Sequence, residues 1–191
     1  MMKQFIILAA MLLPIVACGQ NNSKNMNNQK TLVAYFSWSG NTEVIANHIA
    51  AKTGAELFRI ERATPYPTGY DECAGAAKVE VDSKTYPAIK ALPENFGQYN
   101  TVIVAVPVWW YTAPMPVFTF LEKSGLDFSG KTVIPLCTAY TAEYNTLKDI
   151  VNVTPTAGHK DGLCIVTKEM GGKGIDRQFT KIDKWLNEIG L

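Results

Sequence analysis

Residues 31–42 read Thr31-Leu32-Val33-Ala34-Tyr35-Phe36-Ser37-Trp38-Ser39-Gly40-Asn41-Thr42. The first seven form a β-branched and aromatic apolar run, the pattern of a buried strand. A turn of small polar residues around one glycine follows. Residues 42–52 then place Val44, Ile45, His48 and Ile49 at helical spacing, with Gly54 as a stop. Strand, tight polar turn and helix in immediate succession open a βαβ unit, and such units build parallel sheets covered by helices.

The alternation continues to the C-terminus. Residues 56–61 (ELFRIE) alternate as a strand, 62–70 form a Pro/Gly loop and 71–83 fit a helix. Residues 101–106 (TVIVAV) are the most apolar strand, and 116–123 read as a helix opened by Pro116. Residues 131–137 and 162–166 are further strands, with a helix at 143–150 between them. Ile175, Phe179, Ile182, Trp185, Leu186 and Ile189 follow the 3.6 period of a closing amphipathic helix. The expected fold class is α/β: a doubly wound five-stranded parallel sheet with helices on both faces. Right-handed crossovers leave few strand orders, one of which is 2-1-3-4-5. In that order a ligand sits beyond the carboxyl ends of strands one and three, where the winding reverses.

The residues at those two ends are unusual. After strand one, Ser37, Trp38, Ser39, Gly40, Asn41 and Thr42 lead straight into a helix. A turn of this kind aims backbone N–H groups at one point, at the positive end of a helix dipole. The hydroxyls of Ser37, Ser39 and Thr42 add donors suited to a phosphate. Capping alone would need one such residue, for which Ser39 is the candidate. After strand three come Pro107, Val108, Trp109, Trp110, Tyr111, Thr112 and Ala113. Three successive large aromatics in a loop are hard to bury, and an exposed aromatic patch marks a site where a planar ligand stacks. One of the two tryptophans is expected to be structural.

With these two loops, residues 31–191 resemble the flavodoxin family. Tyr35-Phe36-Ser37-Trp38-Ser39-Gly40-Asn41-Thr42 is similar to the flavodoxin phosphate loop. Pro107-Val108-Trp109-Trp110, Ala113-Pro114-Met115-Pro116, Thr119-Phe120-Leu121-Glu122 and Gly130-Lys131-Thr132 resemble a WW-motif branch common among bacterial envelope lipoproteins, in which Pro65-Tyr66-Pro67 and Tyr70 also recur. The resemblance implies non-covalent FMN as cofactor. Ser37, Ser39, Gly40, Asn41 and Thr42 would hold its phosphate, and residues 107–113 would face the isoalloxazine. Thr138, Ala139 and Tyr140 would border the pyrimidine edge, although the branch has a glycine-rich segment there and this chain has none. The implied function is electron transfer or flavin-dependent reduction. An NAD(P)H-dependent quinone or small-molecule reductase is the alternative, and a flavodoxin-fold binding module without redox turnover is a third reading. No catalytic acid–base pair stands out.

The N-terminus reads as a targeting segment. Lys3 precedes an apolar run from Phe5 to Val16, too short to span a membrane but suited to a signal peptide. Ile15-Val16-Ala17-Cys18-Gly19 resembles a bacterial lipobox, which makes 1–17 the leader and Cys18 the lipidated first residue. Residues 18–30 are polar and Asn-rich, a flexible tether between anchor and domain. The expected location is the bacterial cell envelope, with membrane contact only through that lipid.

The remaining features bound the function from outside. Lys+Arg number 18 and Asp+Glu 17, which provides no basic face for nucleic acid. Cys73, Cys137 and Cys164 stand without the Cys-x5-Arg of a phosphatase loop, and no Cys/His spacing suggests a metal. Two of them, Cys137 and Cys164, lie in apolar strands and read as buried free thiols. His48 sits within a helix and reads as structural. Gly125-Leu126-Asp127-Phe128-Ser129-Gly130-Lys131-Thr132 spells a Walker A motif, but it follows a helix and opens a strand, the reverse of a P-loop.

Overall fold

The computed structural model describes residues 30–168 and 174–191. The leader, Cys18 and nearly all of the tether lie outside them. In chain order the elements are β1 (Lys30–Tyr35), α1 (Asn41–Thr53), β2 (Glu56–Arg59), α2 (Tyr70–Ser83), β3 (Tyr99–Pro107), α3 (Met115–Phe118), β4 (Thr132–Ala139), α4 (Thr146–Asn152), β5 (Gly158–His159), β6 (Leu163–Val166) and α5 (Phe179–Glu188). All pairings in the sheet are parallel, in the order β2-β1-β3-β4, and both β5 and β6 lie against β4. The expected order 2-1-3-4-5 is therefore present, with the fifth position split into two pieces.

The split has a local cause. Lys131 O and Ala139 O accept from Gly158 N and Thr167 N at this margin, so the odd-numbered residues of β4 direct their backbone groups toward it. Pro135 is one of them and carries no N–H. Opposite it the partner strand loses register: His159 pairs with Val133, but Leu163 pairs with Leu136. The extra residue between the two pairings is accommodated as a bulge. The two-residue β5 carries no alternating pattern, so sequence reading passes over it.

Alternation along the central strands builds two cores. Val33, Tyr35, Ile103, Ala105, Ile134 and Leu136 pack under Ile45 and Ile49 of α1 and Ile182, Trp185 and Leu186 of α5. Leu32, Ala34, Val102, Val104, Val106 and Cys137 face the other side, under α2, Phe120 and Ile150. His48 is satisfied between α1 and α5: its Nε2 lies 2.6 Å from Asp183 Oδ1 and its ring stacks on Phe179 at 3.8 Å.

Two predicted helices are corrected. The segment 116–123 is α-helical for one turn and then widens into a π turn, Thr119–Lys123. Thr119 Oγ1 donates to Pro87 O at 2.8 Å and also lies 3.3 Å from Met115 O, an intrusion into the helical ladder of the kind that loosens a turn. The helix expected at 143–150 starts at Thr146 instead. Tyr144 is left-handed (φ 49°), and Asn145 N is committed to Tyr111 O at 3.1 Å, so the chain is held out of helix until both contacts are made.

The false Walker lysine is a structural cation. Lys131 is buried, donates to Tyr99 O at 2.7 Å and lies 4.9 Å over the Phe96 ring. It sits at the start of β4, the end of the sheet away from the loops at 37–42 and 107–113. No helix among the described residues is long and apolar enough to cross a membrane.

Candidate functional site

The turn after β1 is shaped by its own side chains. Ser37 Oγ accepts from Gly40 N at 3.1 Å, and Gly40 takes φ 94°, a conformation that glycine adopts without steric cost. Gly40 is the N-cap of α1, and no side chain caps this helix. The reading of Ser39 as a simple cap is thereby excluded. The side chains of Ser39 and Asn41 make no hydrogen bond within the described residues. Thr42 is buried, and its Oγ1 lies 2.8 Å from Thr138 Oγ1 at the end of β4. One hydroxyl proton of that pair joins the two oxygens, which leaves the other for an outside acceptor.

One residue of this region was not foreseen. Arg59, at the end of β2, donates through Nη2 to Ser37 O at 3.1 Å and through Nη1 to Glu43 at 3.0 Å. A cation thus supports the turn from behind, paired with an acid of α1. The motif itself lacks Lys and Arg, and only the sheet order brings Arg59 to it.

The loop after β3 is a two-residue reversal. Trp109 N donates to Thr112 O at 2.8 Å and Thr112 N to Trp109 O at 3.1 Å, and the residues between them have φ of 48° and 70°. Positive φ at both central positions is the type I′ geometry, normally filled by Asn-Gly. Here Trp110 and Tyr111 fill it. Backbone strain of this sort costs roughly 1–2 kcal/mol per residue and collects at functional sites.

The two tryptophans differ in exposure. Trp109 is half-buried, edge-on to Phe36 at 5.3 Å and to Tyr66 at 5.2 Å. Trp110 is 40% exposed, held at its rim by a 2.9 Å bond from Nε1 to Ala74 O and by Lys78 over its ring at 5.2 Å. Trp38 Nε1 donates to Pro67 O at 3.1 Å. This gives the 65–67 segment a role: it props both Trp38 and Trp109.

Two adjoining clefts open here. One, of about 200 Å³, is lined by the turn residues Ser37, Ser39, Asn41 and Thr42 together with Pro107, Thr138, Ala139 and Thr167. The other, of about 270 Å³, lies between α2 and the aromatic reversal. Trp38, Val108, Trp109 and Tyr140 line both. Ala113 is fully buried behind the loop rather than on the cleft, and Thr112 turns its hydroxyl to Asp149 Oδ2 at 2.5 Å. Sequence reading missed Tyr144, Cys73, Ala74 and Ala77, which line the second cleft. The last three make a small-residue stripe on α2 whose spacing resembles ordinary core. Burial pushes the Cys73 thiol up, with Glu80 adding to the effect.

The reversal itself can be tested. Replacing Tyr111 by Gly is expected to raise stability by about 0.5 kcal/mol. The relieved strain, roughly 1–2 kcal/mol, exceeds the lost edge contact with Tyr144, about 0.5–1.5 kcal/mol. Calorimetry should show the melting temperature rising by roughly 1–2 °C. A fall would mean that the aromatic contact, and not the backbone, governs this turn.

Comparison with known proteins agrees with this geometry. The sequence model of the family described as Flavodoxin matches residues 30–189. The chain belongs to the flavodoxin family. A protein of Bacteroides eggerthii assigned as a flavoprotein is 30% identical, with a TM-score of 0.70, covering 86% of this chain and 99% of its own. A second such protein, from Bacteroides uniformis, is 31% identical with a TM-score of 0.65, covering 75% and 96%. A flavoprotein of Lactobacillus acidophilus, solved in complex with FMN, shares the fold at 19% identity and a TM-score of 0.63, covering 75% and 97%. No curated protein matches the chain. In this flavodoxin the doubly wound sheet places both special loops at the switch point, between β1 and β3.

Proposed function

We propose that this flavodoxin binds FMN non-covalently and uses it for electron transfer or flavin-dependent reduction in the bacterial cell envelope. The observation that carries the reading is the continuity of two unlike surfaces. An uncapped helix N-terminus with uncommitted Ser39 and Asn41 side chains opens into a cleft that shares Trp38, Val108, Trp109 and Tyr140 with an aromatic cleft. Such a pair suits a ligand with an anion at one end and a planar ring at the other. The donors fit a phosphomonoester, and the two volumes together reach the range of small-molecule sites. FMN supplies the redox chemistry when bound. The chain's residues hold the phosphate, present aromatic faces and edges to the ring and limit water around it.

The test is a titration of purified protein with FMN, followed by quenching of flavin fluorescence. Trp109→Ala is expected to weaken binding by about tenfold, because aromatic contact adds roughly 0.5–1.5 kcal/mol beyond burial. Absence of uptake by the wild type would refute the reading.

The reductase alternative is favoured by the second cleft, whose rim carries Tyr70, Trp110, Tyr111 and Tyr144. That is room for a flat apolar second substrate. Steady NADH oxidation with a quinone would separate this activity from electron carriage. We place the chain in the WW-motif branch on its Pro107-Val108-Trp109-Trp110 segment, and infer a lipid anchor on Cys18 from the Ile15-Val16-Ala17-Cys18-Gly19 spelling. Mass spectrometry of the mature N-terminus should find acylated Cys18, and an unmodified start refutes the anchor.

A further inference from the structure

Cys137 and Cys164 are 27 residues apart in sequence and are direct register partners on β4 and β6. Both side chains lie on the α4 face of the sheet, Cys137 fully buried and Cys164 half-buried on the margin strand. We propose that these two cysteines form a reversible dithiol–disulfide couple, a redox centre of this flavodoxin separate from its flavin cleft. The inference does not depend on FMN binding.

Geometry allows the bond and makes it labile. Neighbouring strands run about 4.7–4.9 Å apart, so register partners fall inside the Cα separation of about 4.4–6.8 Å that a disulfide tolerates. Their Cβ atoms point the same way and stay near that spacing, slightly beyond the roughly 3.5–4.5 Å of a relaxed bridge. Closure therefore needs a shift of less than about 1 Å, which the four-residue margin strand β6 is placed to make. A bridge held in this way is readily reduced.

The two sulfurs are not equivalent. The two thiols act on each other: the Cys137 neighbour draws the Cys164 thiol below its ordinary range, and Cys164 together with burial pushes Cys137 up. Lys181 favours the thiolate from the α5 side, where its Nζ bonds Cys164 O at 3.0 Å, and Glu143 opposes it. Cys164, half-buried on the margin strand while Cys137 is fully buried, is the thiol an external disulfide reaches first, and it is the nucleophile. Its thiolate attacks one sulfur of a small external disulfide, whose S–S bond breaks and whose leaving thiolate takes up a proton. Cys137 then gives its proton to the medium and attacks Cys164 Sγ, expelling the second external thiol. Two protein thiols are oxidised and one external disulfide becomes two thiols. Cys73, on α2 and outside the β4–β6 register, takes no part.

The test uses the full chain in graded mixtures of reduced and oxidised glutathione, with peptide mapping under non-reducing conditions. The expected product is a linked Cys137–Cys164 peptide lacking two hydrogens, restored by dithiothreitol, while Cys73 stays free. In Cys137→Ala the glutathione adduct on Cys164 should persist. A stable adduct on wild-type Cys164 with Cys137 still free, or both thiols unchanged at the most oxidising mixture, overturns the proposal. The wild-type map decides the matter even if the variant fails to fold.

Discussion

Ser39→Asp is expected to lower FMN affinity by nearly three decades and to leave riboflavin binding unchanged. Ser39 is exposed, lines the smaller cleft and has no partner to lose. A carboxylate there would meet the ligand phosphate at about 4 Å, and at an effective dielectric near 20 the repulsion is about 4 kcal/mol. Each decade of affinity is about 1.4 kcal/mol. The fold should tolerate the change, because an acid beside a helix N-terminus is favourable by roughly 0.3–1 kcal/mol. Thr42 is the poorer position for this test: it is buried against Thr138, and a carboxylate there would disturb the fold as well as the ligand. Lys131→Ala is the control, since its removal costs stability at the far end of β4 without altering preference. Paired titrations with FMN and riboflavin decide it. A preference for FMN that survives Ser39→Asp would put the phosphate in another loop.

The second large effect concerns the support beneath the aromatics. Glu80 of α2 is buried, receives Arg62 Nε at 3.0 Å and accepts a hydrogen bond from the Tyr66 hydroxyl. Burial and the neighbouring Glu80 push the Tyr66 phenol well up, so Tyr66 remains a donor. Glu80→Ala removes the common acceptor and leaves a partly buried guanidinium unpaired, at a cost of about 3–5 kcal/mol. The melting temperature should fall by roughly 6–20 °C. Tyr66→Phe leaves the ion pair intact and should cost less, about 1.5–3 kcal/mol. Trp109, edge-on to Tyr66, should report both changes in its fluorescence. Equal losses in the two variants would show that the ion pair contributes little.

Much of this was legible in the sequence because the informative residues are neighbours along it. The polar turn and the aromatic loop are each one unbroken stretch, and β3 and β4 are continuous apolar runs. The remainder depends on contacts between distant segments. Arg59 reaches the turn through strand order, and Tyr111 O delays α4 by holding Asn145 N. The type I′ reversal at Trp110-Tyr111 carries neither glycine nor asparagine, so nothing local announced it. The pairing of Cys137 with Cys164 follows from the register of β4 with β6, which the bulge opposite Pro135 sets.

That bulge also bears on how the molecule behaves at high concentration. An open sheet margin is a template on which another chain can add a strand and begin an aggregate. Along β4 the outermost strand is broken between His159 and Leu163, so an incoming strand finds no straight run of free N–H and C=O groups. The opposite margin, β2, is four residues long and carries Glu56 and Arg59. Restoring a continuous outer strand, by replacing Pro135 and deleting one residue of 160–162, would lengthen the exposed ladder and invite self-association.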